Sequence, residues 1–539
     1  MKSFPTRSYQ DVRDALLARR EIALLDVREE DPHAQSHPLF AANLPLAKIE
    51  LDAWTKLPRR DVPIVLLDDG EGFAARAALK FDALGYTDVA LLEGGLAGWV
   101  HAGGEVFRDV NVPSKAFGEY VEAERHTPSL SAEEVQALLT GDAPVVVLDA
   151  RRFDEYQTMN IPGSVSVPGA ELALRARALA PDPATRVIVN CAGRTRSIIG
   201  TQSLVNAGLP NPVAALRNGT IGWTLAGQTL EHGAARQFDA EAGRDPATLA
   251  QSREAARALA DRAGVRRTTL DEAARWAAGQ AKAATRTTYR FDVRTPAEYE
   301  RAHPPGFQGA QGGQLVQETE MFAPVRGARV VLFDDDGVRA NMTASWLAQM
   351  NVEVYVVDSA NTDALSETGP WRAPKPTPQT IAAITPEALA ARLAQPDHGT
   401  VVLDFTSSAN HLKAHIPGAW WTLRSHLAPG FDDLRALPDA KRYVAVCMTN
   451  ALAPFAAPEI AALTGKPVEV LDGGTAAWQR AGLPVESGDA QLASPRIDRY
   501  RRPYEGTDNA REAMNAYLEW EFGLVEQLGR DGTHGFFTV

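Results

Sequence analysis

Four times along this 539-residue chain an apolar run ends in aspartate, and just over 40 residues later a second apolar run opens into a polar loop. The aspartates are Asp26, Asp149, Asp292 and Asp404, and the loops begin at Asp68, Cys191, Asp335 and Cys447. The separations are 42 residues (26 to 68, and 149 to 191) and 43 residues (292 to 335, and 404 to 447). A spacing held over that distance means one structural unit used repeatedly. A chain this long also cannot be built around a single core.

Each unit continues in the same way. A helical stretch after the loop ends at Gly85, Gly208, Asn351 or Gly465, residue types suited to a left-handed cap. A short apolar run follows, at 89–92, 213–216, 352–357 and 468–471. Three copies then make a glycine turn leading to Trp99, Trp223 or Trp478; the third lacks the glycine pair. Strand, helix, strand, helix, strand at this spacing predicts an α/β fold, a small parallel sheet flanked by helices on both faces, with the carboxyl strand ends as the binding edge. The units fall at residues 1–107, 128–235, 267–370 and 384–487. Residues 108–127 and 371–384 read as linkers and 236–266 as a helical spacer. A tail at 488–539 carries the amphipathic, aromatic segment 509–528. That segment is expected to dock on a domain or on a second subunit, which makes a homodimer through the tail one expectation.

One loop stands apart. Cys191-Ala192-Gly193-Arg194-Thr195-Arg196-Ser197 follows Val187-Ile188-Val189 and opens a helix. A thiol at a helix N-terminus, with two arginines close in sequence, is expected to sit in a positive field that lowers its pKa into the range of roughly 3.5–7.5. That predicts a nucleophilic thiolate. Asp149 and Arg151 lie on the same predicted edge and read as a supporting ion pair. Cys447, whose loop lacks glycine and arginine, reads as a buried packing residue, and the acidic residues at Asp68 and Asp334–Asp336 as helix caps with no metal. With a net charge of −13 and no basic stripe, the chain is not a nucleic-acid or anionic-membrane binder. Two cysteines exclude a disulfide framework, and no run approaches a membrane span, so a cytoplasmic location is expected.

Asp149-Ala150-Arg151 with Glu155-Tyr156, Ile161-Pro162-Gly163 and the Cys191 loop resembles the rhodanese domain. Asp292-Val293-Arg294 with Glu298-Tyr299, and His415-Ile416-Pro417-Gly418, repeat fragments of it. The resemblance implies four tandem rhodanese-like domains, of which only the second keeps a full active-site loop. It further implies sulfur transfer without cofactor from a donor such as thiosulfate to cyanide or a thiol, through a persulfide on Cys191. Loop residues 192–197 would bind the donor, with Arg194 and Arg196 holding a dianion. Two other readings are a cysteine phosphatase or arsenate reductase, whose cradle places arginine one residue further on, and a non-catalytic scaffold.

Overall fold

The computed structural model describes residues 2–279, 286–358, 364–431, 433, 437–438, 440–506 and 508–539. It contains four five-stranded sheets, all parallel and all with one strand order: first, fifth, fourth, second, third. The central strands are Ile64–Leu67, Arg186–Asn190, Arg329–Phe333 and Arg442–Val446. Their runs of Val, Ile, Leu and Ala suit strands covered by helices on both faces. The four aspartates end the neighbouring strands and pair in register with Leu67, Asn190, Phe333 and Val446. The stretch after the third copy's last strand, where the glycine turn is missing from the sequence, lies partly outside the described residues.

That register corrects one expectation. The residue that follows the central strand is Asp68, Cys191 and Cys447 in three copies, but in the third it is Asp334, not Asp335. Three successive aspartates follow Phe333, so residue type alone does not say which one opens the loop; the sheet hydrogen bonds do. With Asp334 in place, Arg339 takes the position that Arg196 holds in the second copy, five residues on from the first loop residue in both.

Residues 108–127 are more than a linker. Helix Val112–Arg125 starts with Pro113 in its first turn and buries Val112, Ala116, Phe117 and Val121. It lies against helix Thr195–Asn206, which follows the Cys191 loop, and Gly118 permits the approach: a Cβ there would stand 2.9 Å from Thr195 Cγ2. The spacer forms helix Pro246–Arg262, capped by Asp245. The tail forms helices Arg511–Phe522 and Leu524–Asp531 and docks on its own chain. Met514, Tyr517 and Leu518 pack around Ile221, while Leu524, Leu528 and Phe536 enter the core shared by the first and third repeats.

The repeats pair across the molecule. The first meets the fourth through Arg424, which bonds Glu50, Glu459 and the Ala47 carbonyl. The second meets the third through Arg339, fully buried, whose Nη1 lies 2.8 Å from Glu171.

Candidate active site

Strand Arg186–Asn190 delivers Cys191 to the carboxyl edge of its sheet, and helix Thr195–Asn206 begins four residues later. Between them the chain must turn tightly, and a second element holds it there. Gly219, at φ +54°, lies so close to the loop that a Cβ would meet the Cys191 carbonyl oxygen at 2.3 Å. Thr220 and Ile221 then donate their amides to the carbonyls of Cys191 and Ala192 at 2.9 and 3.0 Å. Gly95 and Gly474 press in the same way on Asp68 and Cys447, at 2.7 and 2.1 Å. The glycine turn read from the sequence is thus the support of the loop, and only glycine allows that contact.

Beneath the loop, Arg151 Nε and Nη2 donate to the two oxygens of Asp149 at 2.8 and 2.7 Å, and Nη2 also reaches the Met159 carbonyl. Asn190 donates to Asp149 at 2.8 Å. The pair is buried, so each charge depends on the other for its solvation.

Cys191 is 1% exposed. Its thiol donates to Ser197 Oγ at 3.4 Å, and that hydroxyl donates to the Arg194 carbonyl at 2.8 Å. Among the described residues, the amides of Ala192, Gly193, Arg194 and Thr195 have no acceptor in the chain. The expectation of a depressed thiol pKa is corrected. Burial pushes it above the ordinary value, with Arg196 and Ser197 pulling down and Glu521 pushing up. A bare anion without water costs more than one nearby guanidinium returns.

The two loop arginines part company. Arg194 points away from the sulfur into helix Val112–Arg125, where Nε and Nη2 bond Glu119 at 2.7 Å each and Nη2 also bonds Glu122. Arg196 stays beside the thiol, paired with Glu155 at 3.0 and 2.7 Å. The expected pair of free cations is therefore one anchor and one cation near the sulfur.

Sequence reasoning missed what lies over the loop. Tail helix Arg511–Phe522 covers Gly193: a Cβ there would meet Tyr517 Cε1 at 3.2 Å and Glu521 Oε2 at 3.4 Å. Tyr517 donates to Glu521 Oε1 at 2.8 Å. Burial and the neighbouring charge of Glu119 raise Glu521 to about 8. Lys115 completes the cluster, bonded to Asp109 at 2.6 Å and enclosed by Tyr504, Tyr517 and Trp520. In front of Ala192 and Arg196 opens a cleft of about 420 Å3. Arg151 and Arg152 line it, with Gln314 and Gln317 of the third repeat and Arg499 and Arg502 of the tail. The density of aromatic residues at 509–528 was the available signal for the lid, but sequence could not say what it covered.

The other three loops share the geometry of the second. Asp68 accepts from the Ala74 amide at 3.0 Å, Asp334 from Ala340 at 2.8 Å, and Cys447 Sγ from Leu452 and Ala453 at 3.3 and 3.4 Å. Ala74, Ala340 and Ala453 stand where Ser197 stands, six residues after the first loop residue. Each loop holds an electron-rich atom on a helix N-terminus; in two of them a fixed carboxylate fills the position.

The rhodanese-like domain family matches residues 8–102, 131–226 and 385–481. A crystal structure of a thiosulfate sulfurtransferase from Pseudomonas aeruginosa is 65% identical, covers 99% of this chain and 100% of its own, and superposes with a TM-score of 0.96. The chain belongs to the rhodanese family. The third rhodanese-like repeat lies outside the family match but has the same strand order as the others. A rhodanese-related protein from Thermoplasma volcanium, 20% identical, covers 20% of this chain and 98% of its own with a TM-score of 0.17. A protein of unknown function from Rhodopseudomonas palustris, described as a possible tyrosine phosphatase, is 23% identical and covers 20% of this chain and 85% of its own with a TM-score of 0.18. None of the curated proteins compared matches the chain.

Proposed function

We propose that this rhodanese-family chain is a thiosulfate sulfurtransferase that works through a persulfide on Cys191. The carrying observation is that, of the four strand-end positions, only that of Cys191 combines a sulfur, unpaired loop amides and an arginine beside the sulfur. The thiolate attacks the outer sulfur of thiosulfate, the S–S bond breaks, and sulfite leaves with the bonding electrons. An acceptor, cyanide or a thiolate, then attacks the outer sulfur of the persulfide and restores the cysteine thiolate, in ping-pong order. The amides of residues 192–195 and the charge of Arg196 stabilise the persulfide anion, which is larger and softer than a thiolate. Ser197 holds the thiol, Arg194 anchors the loop to helix Val112–Arg125, and Asp149 with Arg151 sets the strand ends beneath it.

The four repeats, at residues 1–107, 128–235, 267–370 and 384–487, form the domains of one polypeptide, with one catalytic site among them. Two unpaired cysteines suit a reducing compartment, so we place the protein in the cytoplasm. Among the described residues no helix is long and apolar enough to cross a membrane. A tail-mediated dimer would have to use side chains still exposed on the docked tail, such as Phe522, which is 56% exposed.

The test is thiosulfate exposure followed by peptide mass analysis. One extra sulfur on the Cys191 peptide, with stoichiometric sulfite and none of either in Cys191→Ser, is the expected result. Hydrolysis of p-nitrophenyl phosphate without sulfur loading would point to a phosphatase instead.

A further inference from the structure

Where the first and third repeats meet the last residues of the chain, they enclose a second cleft, of about 250 Å3. No residue that lines it lines the catalytic cleft. Five arginines face it, Arg19, Arg20, Arg266, Arg286 and Arg326, against one carboxylate, Glu353. Glu353 is already shared by Arg266 and Arg286. Among the described residues Arg19, Arg20 and Arg326 form no ion pair. Arg326 lies over the Phe40 ring, 4.1 Å from its centroid, and among the described residues its guanidinium makes one hydrogen bond, to the Met350 carbonyl at 3.4 Å. Burial lowers its pKa to about 10, Glu320 pulls the other way, and the charge of Arg19 lowers it further. Glu320 is a weak counter-charge, because burial holds it near 7.

The simplest account of arginines here is helix ends. Helices Tyr9–Leu17, Pro246–Arg262 and Arg339–Gln349 all finish near this cleft. Each carboxyl end carries about half a negative charge. Together with Glu353 they offset roughly half of the five cations, and the excess remains in a chain whose net charge is −13. Two guanidiniums brought together without a carboxylate are unfavourable until an anion joins them. One wall of the cleft is apolar: Leu16, Val352 and Phe537, the last 37% exposed.

We propose that this cleft binds an organic phosphate of the nucleoside diphosphate class, its phosphates on Arg19, Arg20 and Arg326 and its ring against Phe537. Phosphate chemistry suits the fork geometry of arginine, and a flat ring suits an exposed aromatic edge beside aliphatic side chains. A cleft of this volume takes the phosphates and one face of a ring and leaves the sugar at the rim.

Calorimetric titration of the full chain with ADP, and separately with pyrophosphate, tests the proposal. ADP should bind more tightly than pyrophosphate. Arg19→Glu and Arg20→Glu should each weaken ADP binding about ten-fold or more, the loss of one charge-assisted contact. Both residues are exposed and unpaired, so the variants should keep the melting temperature and the thiosulfate turnover of the parent. Failure of the chain to bind ADP would overturn the proposal, as would ADP binding unchanged in the double variant. Pyrophosphate binding as tight as ADP would overturn the assignment of the ring to Phe537.

Discussion

Arg194 and Arg196 stand two residues apart in one loop, yet the structure gives them different work, and substitution should separate them. Arg196 is the largest influence lowering the Cys191 pKa, against a burial that raises it. Half-maximal alkylation of Cys191 is therefore expected above the pH of a free cysteine, and Arg196→Met should move it higher still. Arg194→Met should leave the alkylation profile near the parent's, because the Arg194 charge is spent on Glu119 and Glu122. It should instead lower the melting temperature, since Glu119 is left buried without its partner. An upward shift of equal size in both variants would return Arg194 to the sulfur. Cys191→Ser should abolish sulfur transfer and Cys447→Ser leave most of it. Equal loss from both would mean that sulfur passes between them.

Two elements that approach the loop from outside its strand and helix decide whether it works. The glycine turn is one. Gly219→Ala would drive a methyl group into the Cys191 carbonyl, at 2.3 Å from the oxygen, so the loop must move. At least a hundred-fold loss of kcat/KM is expected, about 2.7 kcal/mol of lost transition-state stabilisation, with far-UV circular dichroism unchanged. Parental activity in that variant would show that the contact yields easily. The tail helix is the other. Glu521 is raised from 4.5 to about 8, so the folded tail holds a proton that the unfolded chain releases above about 4.5. Its contribution to stability is whole below that pH and is lost as the pH rises through 8. The tail should loosen over this window, read as faster proteolysis within helix Arg511–Phe522 at pH 9 than at pH 6. Glu521→Gln should flatten the dependence, and a slope unchanged in that variant would assign the effect to another group.

Across the whole molecule, the second repeat is tied most closely to the third. The third supplies Arg339, in the position that Arg196 holds in the second, and turns it outward to Glu171 of its neighbour. Arg339 also holds Asp336, Asp335 and Glu298, so Arg339→Met would leave buried Asp336 without its closest cation and take one of the two arginines from buried Glu171. Breaking one side of such a network costs about 3–5 kcal/mol. A clear fall in melting temperature is expected, together with a rise in KM for thiosulfate, because Gln314 and Gln317 of the third domain wall the catalytic cleft. A melting temperature within a degree of the parent's would show that the domain pair does not rest on this arginine.

The repeat, its four parallel sheets and the one cysteine loop with arginines were legible along the chain. Each rests on local rules: apolar runs of strand length, glycine where the backbone turns left-handed, aspartate at a strand end. Single positions were less secure, as the run Asp334-Asp335-Asp336 shows; residue type left the strand end ambiguous by one, and only sheet register resolved it. What the sequence could not determine was everything set by contacts between distant segments. A thiol's pKa is a balance of burial against charge, and at Cys191 part of that charge is Glu521, on a tail helix more than 300 residues away that covers Gly193 of the same loop. The direction of Arg194 is decided by Glu119 on a helix that composition read as a linker. Local chemistry proposed the nucleophile; the folded neighbours set its solvation and its charge.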